Sequence, residues 1–375
     1  MSHPRNSSEP LVMVGLMTGT SMDGLDICVA KVGFFRESAE AFVLVEGSVP
    51  YTDELRESVE NCLSGDAAKI ATTHFSLGKF IATETERFLT ERNIGSVDGI
   101  GMHGQTIHHI SGQSSLQIGE PSFLAHTLEV PVVSDFRAAD IAAGGTGAPL
   151  ICMVDSWLFQ QEAGAVICLN LGGVANVTFL PSTDSGEPII GFDTGPGMAL
   201  MDEAMSELTG EKFDKDGLRS SQGVPDIENV DRWMDHPFIH APPPKSTGRD
   251  IFGSAWLKEN VLDQSWKKPD DLLSTLSFFT ARTVAVNCQE FLPLDSVQQL
   301  IVSGGGVYNE GLMNHLKKQF STVRIVTSQE YGIDPFMKEA LGFAMLGAAN
   351  LKGISGNLPS VTGARKPVIL GKVTI

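Results

Sequence analysis

Three short segments of the chain combine glycine with hydroxyl, amide or carboxylate side chains directly after an apolar run. They are Thr18–Gly24 (TGTSMDG), Asn170–Asn176 (NLGGVAN) and Ser303–Gly306 (SGGG). Glycine lets backbone N–H groups approach a phosphate, hydroxyl groups donate to its oxygens, and the carboxylate of Asp23 can hold Mg²⁺. Each segment also fits an ordinary turn. Because the first two occupy equivalent places in two similar halves of the chain, the pattern favours a nucleotide site.

Two carboxylates stand where they can do chemistry. Asp193 lies in Gly191–Gly197 (GFDTGPG), where a short apolar run meets a helical segment, so it can cap that helix or act as a general base. Glu339 falls in the apolar helical segment Phe336–Leu351. The residues alone favour the solvated outer face for Glu339 over a place in a site.

Two familiar sequence signatures lack the neighbouring residues that their functions require. Gly99–Gly104 (GIGMHG) matches the dinucleotide fingerprint, which needs a helix immediately after it. The next residues, QTIHHISG, carry no helical periodicity, so we do not expect a dinucleotide there. The histidines at 103, 108 and 109 have no second ligand cluster at metal-site spacing, which favours substrate-contacting or structural roles.

The elements that position these groups follow a plan that appears twice. Each half begins with an apolar strand, a glycine-containing turn, a returning strand and a third short run. The runs are Leu11–Met17, Ile27–Val32 and Phe42–Val45, then Ala165–Leu171, Asn176–Leu180 and Pro188–Phe192. Helical segments are predicted at Ala67–Arg92, Ser122–Leu128, Gly197–Leu208, Asp270–Leu292, Asn309–Phe320 and Phe336–Leu351, and further strands at Val130–Val133, Leu300–Val302 and Val323–Val326. The result is an α/β protein of two similar lobes, with a ligand site expected in a cleft between them.

One long segment has no hydrophobic periodicity. His236–Arg249 (HPFIHAPPPKSTGR) is predicted to be a surface loop, and loops of this length in compact domains are usually functional.

Composition excludes several classes of protein. The 375 residues include 42% hydrophobic and 19% charged side chains, which excludes intrinsic disorder. The net charge of −18 argues against a partner that is a nucleic acid or an anionic membrane. The five cysteines form no CxxC pair and are expected to be reduced and mostly buried. The polar start lacks the apolar run of a signal peptide, and residues 163–183 read as strand, turn and strand rather than a membrane span, so a cytoplasmic location is expected.

Eight motifs in order resemble the anhydro-N-acetylmuramic acid kinases of the actin, Hsp70 and sugar kinase superfamily. The motifs are GLMTGTSMDGLD (15–26), HGQTIHH (103–109), SDFRAADIAAGGTGAPL (134–150), NLGGVANVT (170–178), GFDTGPG (191–197), PKSTGRD (244–250), SGGGVYNEGLM (303–313) and KEALGFAML (338–346). The resemblance implies two duplicated ribonuclease-H-like lobes, the actin-like ATPase fold, with an active site in the cleft between them. The expected lobes are residues 1–137 with 359–375, on the sugar and phosphate side, and 138–358, on the nucleotide side.

The resemblance also implies a reaction and its residues. ATP and Mg²⁺ are used to phosphorylate O6 of a 1,6-anhydro sugar while water opens the bridge. Asp193 and its helix partner Glu339 carry over as the catalytic residues, which reverses the outer-face expectation for Glu339. Asp23 carries over as the metal ligand. The ATP-binding positions are Gly19, Thr20, Ser21, Met22, Asp23, Gly24, Leu25, Asp26, Gly172, Gly173, Gly304, Gly305, Gly306 and Asn309; the substrate positions are His103, Gln105, Asp135 and Arg137. A homodimer is implied as well.

The chain departs from the family pattern at three positions. Met198 follows GPG where Asn is usual, Thr146 replaces the Gln of GGQGAPL, and Phe336 replaces a frequent Asp. None of these changes removes Asp23, Asp193 or Glu339. They leave the sugar open between 1,6-anhydro-N-acetylmuramic acid and levoglucosan, the substrate of related fungal kinases. A catalytically silent nucleotide-binding regulator is the alternative from a different class.

Overall fold

The structure is a computed structural model that describes residues 9–19, 22–35, 38–263, 266 and 268–375. Strands and helices alternate along most of the chain. The strands are β1 Leu11–Met17, β2 Gly24–Phe35, β3 Ser38–Pro50, β4 Gly99–Met102, β5 Gln105–Ile110, β6 Ser114–Ile118, β7 Val132–Ser134, β8 Ala165–Leu171, β9 Val174–Leu180, β10 Ile190–Pro196, β11 Val297–Ser303, β12 Arg324–Thr327 and β13 Lys372–Thr374. The α-helices are α1 Asp53–Glu60, α2 Ala67–Glu91, α3 Ser122–Leu128, α4 Phe136–Ala142, α5 Ile151–Phe159, α6 Ala199–Thr209, α7 Leu218–Gln222, α8 Ile227–Met234, α9 Pro237–His240, α10 Ser254–Leu257, α11 Pro269–Phe291, α12 Glu310–Gln319, α13 Lys338–Leu351 and α14 Pro359–Thr362.

The chain divides into two compact units. Unit 1 comprises residues 1–158 and 337–375, and unit 2 comprises residues 159–336. These limits differ from the boundaries expected at 137/138 and 358/359. The reason lies in α5 and α13, because both belong with unit 1: a buried ion pair joins them, and α13 packs on β1, β2 and β4.

Unit 1 has a six-stranded sheet in the order β13-β7-β4-β1-β2-β3. Strands β1, β2 and β3 form an antiparallel meander, whereas β4 and β7 run parallel to β1. The meander fits the short connections between its strands, and each parallel crossover contains a helix. The hairpin β5–β6 forms a separate two-stranded sheet.

Unit 2 has a five-stranded sheet in the order β10-β9-β8-β11-β12. Its first three strands are antiparallel neighbours, and β11 and β12 run parallel to β8. If the strands of each of these two sheets are numbered afresh in chain order, without the hairpin β5–β6, both contain the order 3-2-1-4-5 with the same directions. This repetition is the duplicated ribonuclease-H-like topology of the actin-like fold, and it confirms the predicted fold class.

Helix α13 packs on its sheet through backbone rather than side chains. A Cβ atom on Gly15 of β1 would lie 1.9 Å from the carbonyl oxygen of Ala340, and one on Gly101 of β4 would lie 1.9 Å from that of Phe343. Only glycine allows such an approach. Helix α13 therefore lies directly on the two central strands of unit 1.

Each unit has its own hydrophobic core, formed where apolar strands meet apolar helix faces. In unit 2 the core fills the space between the sheet and helices α6, α8, α11 and α12, and in unit 1 it lies between the sheet and helices α2 and α3. The predicted helices at 67–92, 122–128, 270–292, 309–320 and 336–351 are confirmed within two residues. The five cysteines are buried free thiols, as expected.

Three local predictions need comment. The segment after Gly104 forms strand β5, which confirms that GIGMHG is no dinucleotide turn. Residues 163–183 form the hairpin β8–β9, as expected. The segment 236–249 is not loop throughout, because Pro237 starts the short helix α9 with His236 as its cap.

Candidate active site

The predicted phosphate turn of unit 1 connects β1 to β2, and Thr20 and Ser21 lie outside the described residues. The turn is tight: the Met22 N–H donates to the Gly19 carbonyl at 3.2 Å, with Met22 at φ +53°. A Cβ on Gly24 would lie 2.6 Å from the Val49 carbonyl oxygen, so a larger residue is excluded. The Leu25 side chain is fully buried in the core, which leaves only its backbone for a ligand.

Three carboxylates interact around this turn. Asp23 is exposed, and Asp26 and Glu339 are half-buried. Burial raises the pKa of Asp26 to about 6; the hydroxyl of Ser48, which donates to its Oδ1 at 2.5 Å, opposes the rise, and the negative charges of Asp23 and Glu339 add to it. Oxygen donors under mutual repulsion suit a hard cation such as Mg²⁺. Within the described residues no three His, Cys, Asp or Glu side chains converge tightly enough to form a metal site by themselves.

Glu339 is held in place by the start of α13. It lies in the first helical turn, between the buried residues Lys338 and Ala340. The Lys338 ammonium donates to Asp155 Oδ1 at 2.7 Å, and both side chains are at most 5% exposed. This buried ion pair fixes the end of α13 from which Glu339 extends.

Of the four predicted substrate residues, two are in direct contact. Nη2 of Arg137 lies 3.2 Å from Nε2 of His103, and its Nη1 donates to the Gly147 carbonyl at 3.2 Å. Burial and the Arg137 charge hold the pKa of His103 well below its usual range, against an opposing interaction with the Gly104 backbone. Because a guanidinium only donates, His103 is neutral and accepts through Nε2.

Gln105 connects this pair to the phosphate turn. Its Nε2 donates to the Gly19 carbonyl at 3.1 Å, and its side chain is fully buried. Its Oε1 is also buried, and no described residue donates to it. A buried acceptor is costly unless a ligand or water donates to it, which fits contact with a hydroxyl-rich molecule.

Asp135 is engaged elsewhere. It sits at φ +61° before α4, and its carboxylate accepts a bond of 2.5 Å from Lys372, whose side chain is largely exposed. Asp135 remains a predicted substrate residue, but the contact that the structure gives it is a surface ion pair.

Asp140 is a supporting residue that the sequence reading missed. Its side chain is fully buried, and it accepts from the Gly147 N–H at 2.8 Å and from Asn357 and Thr362 at 2.7 Å each. Gly147 in turn holds Arg137. The sequence feature that could have identified Asp140 is its place as the second Asp of SDFRAAD, three residues after Arg137 and on the same helix face.

In unit 2 the turn Gly172-Gly173 joins β8 to β9 as a two-residue hairpin loop. The carbonyls of Gly172 and Gly173 accept from the N–H groups of Met198 at 2.8 Å and Gly197 at 3.0 Å. A Cβ on Gly197 would lie 2.2 Å from the Gly172 oxygen. The second predicted phosphate turn is therefore tied to the end of the segment that carries Asp193.

The third glycine cluster precedes α12, as predicted. Gly304 has φ +86°, and a Cβ on Gly306 would lie 2.6 Å from the Leu171 Cβ, so the fold requires both glycines. Gly305 meets only ordinary contacts, which leaves its backbone accessible to a ligand. Asn309 caps α12, because its Oδ1 accepts from the Leu312 N–H at 2.9 Å.

The interpretation of Asp193 as a helix cap is wrong. Asp193 lies inside β10 rather than at its end, and Met198 occupies the cap position of α6. The β9–β10 register shifts between Asp193 and Gly195, and such a bulge redirects a side chain. The half-buried carboxylate accepts from the Thr247 N–H at 2.8 Å, and the Asp193 N–H donates to the Lys245 carbonyl at 3.2 Å.

The structure thus has the topology of the actin-like ATPases and sugar kinases, with a glycine turn after the first strand of each unit. A family model for anhydro-N-acetylmuramic acid kinase matches residues 11–375. The chain belongs to the anhydro-N-acetylmuramic acid kinase family.

Named relatives match along nearly the whole chain. An anhydro-N-acetylmuramic acid kinase of Caldanaerobacter subterraneus subsp. tengcongensis is 35% identical over 99% of this chain and 98% of that protein. One from a Picosynechococcus species is 37% identical over 96% and 98%. Among solved structures, component A of (R)-2-hydroxyglutaryl-CoA dehydratase from Acidaminococcus fermentans covers 91% of this chain and 99% of its own, at 11% identity and a TM-score of 0.46. Across the described residues, every helix is too short or too polar to cross a bilayer.

Proposed function

We propose that the protein is an ATP-dependent kinase that opens the 1,6-anhydro ring of 1,6-anhydro-N-acetylmuramic acid with water and phosphorylates O6. The products are N-acetylmuramic acid 6-phosphate and ADP. Family membership along residues 11–375 supports this assignment. The observation that carries it is the Asp193 carboxylate, held on the bulged strand β10 by the Thr247 N–H.

The substrate dictates the form of the reaction. A 1,6-anhydro sugar has no free 6-hydroxyl, so phosphorylation requires cleavage of the C1–O6 bond. Asp193 accepts a proton from water, the water oxygen bonds to C1, and the C1–O6 bond breaks. O6 then bonds to the γ-phosphorus as the bond to ADP breaks. Positioning and charge stabilisation account for most of the rate in such transfers.

The phosphate contacts are assigned to glycine turns. Backbone N–H groups around Gly19, Gly172 and Gly305 bind phosphate or nucleotide, because glycine has no side chain of its own to shield them. Asp23 would hold Mg²⁺, with Asp26 and Glu339 nearby, and the ion would offset the phosphate charge. Burial raises the pKa of Asp26, and the negative charges of Asp23 and Glu339 add to the rise; this added repulsion supports this part of the proposal.

The sugar contacts are assigned to the polar group in unit 1. Gln105 Oε1 accepts a hydroxyl or amide hydrogen, and Arg137 supplies cationic donors that His103 and Gly147 orient. The proposal extends to a cytoplasmic location, where ATP is available, and to a homodimer. Levoglucosan kinase and a silent regulator are not favoured, because the relatives are named for the muramic sugar.

Release of ADP across a panel of sugars tests the assignment. The panel is 1,6-anhydro-N-acetylmuramic acid, levoglucosan and no sugar. We expect kcat/KM for the muramic sugar to exceed that for levoglucosan by at least about a hundredfold, because unpaired polar groups penalise the smaller sugar. In ¹⁸O-labelled water the product should carry one label, at C1.

Three results would contradict the proposal. A preference for levoglucosan would change the substrate, and ADP release without any sugar would indicate an ATPase. An unlabelled C1 would remove the role of water in ring opening.

A further inference from the structure

The Lys245 side chain occupies an unusual environment for a cation. Its ammonium lies 4.9 Å from the ring centre of Phe238, 5.0 Å from Phe291 and 5.9 Å from Phe192. It donates to the carbonyls of Phe238 at 3.0 Å and Ile239 at 2.7 Å. Ring faces and carbonyls attract cations, so these groups replace water around the charge. In the described part of the chain Lys245 takes part in no ion pair within 4.0 Å.

The two carbonyls belong to the last turn of α9, and the Phe238 carbonyl also accepts from the Ala241 N–H at 3.3 Å. The ammonium therefore bonds to two neighbouring carbonyls at the end of this helix. Burial lowers the pKa of Lys245 to about 8, while the charges of Glu290 and Asp193 act in the opposite direction. Removing a cation from water costs free energy, so the contacts of the Lys245 ammonium must compensate for that loss.

The backbone of the same residue reaches the proposed base. The Lys245 carbonyl accepts from the Asp193 N–H at 3.2 Å, and the Thr247 N–H donates to Asp193 Oδ2 at 2.8 Å. Phe192, beside Asp193 in sequence, is one of the three rings around the ammonium. The loop from Ala241 to Arg249 is thus fixed at one point by a side chain, and it fixes Asp193 at two points by its backbone.

We propose that Lys245 is a positioning residue for Asp193: its ammonium anchors the 241–249 loop to the end of α9, and the loop backbone sets the direction of the Asp193 carboxylate. This role rests on the proposed function of Asp193 as the base. Lys245 need not touch the sugar or ATP. Its contribution is the geometry of the proton acceptor, and a displacement of about 1 Å at such a group can reduce a rate about a hundredfold.

Lys245→Met removes the charge and keeps most of the side-chain length, whereas Lys245→Arg keeps a cation. Lys212→Met, at an exposed lysine of the same unit, is the matched control. We expect Lys245→Met to lower kcat at least about tenfold with KM for ATP within about twofold of wild type. Lys245→Arg should recover most of the loss, and the control should behave as wild type.

A double-mutant cycle separates positioning from general damage to the fold. If Lys245 acts through Asp193, adding Lys245→Met to Asp193→Asn lowers kcat no further, because residues that act as a unit are non-additive. A purely structural role would instead multiply the two losses and lower the melting temperature in step with activity. Multiplied losses, or a kcat for Lys245→Met within twofold of wild type, would overturn the proposal.

The same measurements distinguish a failure of this proposal from a failure of the proposed function. If Asp193→Asn turns over normally, or if the wild type releases no ADP with the sugar, the proposed function fails first. Should Lys245→Met not fold, Phe291→Leu takes its place, since it removes one ring and leaves the charge. We expect that variant to lower kcat severalfold with KM for ATP unchanged, and an unchanged kcat would count against the anchor.

Discussion

The two units share one strand order but handle acidic side chains in opposite ways. In unit 1, burial raises the pKa of Asp26 to about 6, and the negative charges of Asp23 and Glu339 add to the rise. In unit 2, Asp193 is held by a backbone amide, and the half-buried cation of Lys245 interacts with its charge.

The difference shows how a duplicated fold can serve two chemical tasks. A group of carboxylates under mutual repulsion binds cations, because a cation relieves the repulsion. A single carboxylate in a fixed direction suits proton transfer, where geometry decides the rate. The turn after the first strand differs accordingly: in unit 1 the strands β1 and β2 are separated by residues 18–23, whereas in unit 2 only Gly172 and Gly173 separate the strands.

The largest expected effect tests the division of tasks directly. Asp193→Asn should lower kcat by about three orders of magnitude with ATP binding retained, because the amide cannot accept the proton of water. Asp23→Asn should mainly raise the Mg²⁺ concentration needed for half-maximal rate. ADP release measured over a magnesium titration compares the two variants. If both variants shift the magnesium requirement and spare kcat, the two units do not divide the work in this way.

The second prediction compares the buried Lys338 of unit 1 with the half-buried Lys245 of unit 2. Lys338→Met leaves Asp155 buried without its 2.7 Å partner, which should lower the free energy of unfolding by about 3–5 kcal/mol. Among the described residues Lys245 forms no such ion pair, so Lys245→Met should cost much less stability. Urea unfolding of both variants measures the difference. The double variant Lys338→Met with Asp155→Leu is the control, and it should recover part of the loss; equal losses for the two lysines would contradict the comparison.

The smallest effect concerns the pH dependence of unit 1. The folded pKa of Asp26, about 6, lies above its ordinary value of 3.8. Between these values the folded state binds more protons than the unfolded state, so the contribution of Asp26 to stability falls as pH rises through this window. Asp26→Asn removes that loss and should raise the melting temperature at pH 7.5 by about 2–4 °C, the shift that about 1 kcal/mol gives.

Thermal unfolding from pH 4 to pH 7.5 measures this effect. The gain of Asp26→Asn should shrink towards pH 4, because the pH there approaches the ordinary pKa of 3.8 and the folded and unfolded states differ less in protonation. A gain that stays constant over this range would mean that ionisation of the partly buried Asp26 carboxyl is not its source.

The sequence predicted the fold well, because that information is local and repeated. The apolar runs at 11–17 and 165–171 marked the first strands, and the glycines after them marked the hairpins. The family motifs then supplied the ribonuclease-H-like topology. The domain boundaries could not be read the same way, since the place of α13 depends on glycines 15 and 101, which are distant in sequence from it.

The site was predicted less completely. Asp193 was identified as a candidate, but the predicted strand ended at Phe192. In the structure the strand continues to Pro196 through a bulge, and an apolar sequence pattern does not reveal a bulge. The supporting groups were missed for a different reason. Thr247 acts through its backbone N–H, Asp140 through buried bonds to residues 217 and 222 positions away, and Lys245 through rings and carbonyls that no spacing rule brings together.

The close seat of α13 on Gly15 and Gly101 has a mechanical consequence. With carbonyl groups of the helix touching Cα atoms of the strands, there is no layer of flexible side chains in which the helix could slide or tilt. The backbone of Glu339 is therefore held at a fixed position relative to the sheet. The spacing between its backbone and that of Asp23, one turn beyond β1, should stay constant whatever larger movements accompany turnover.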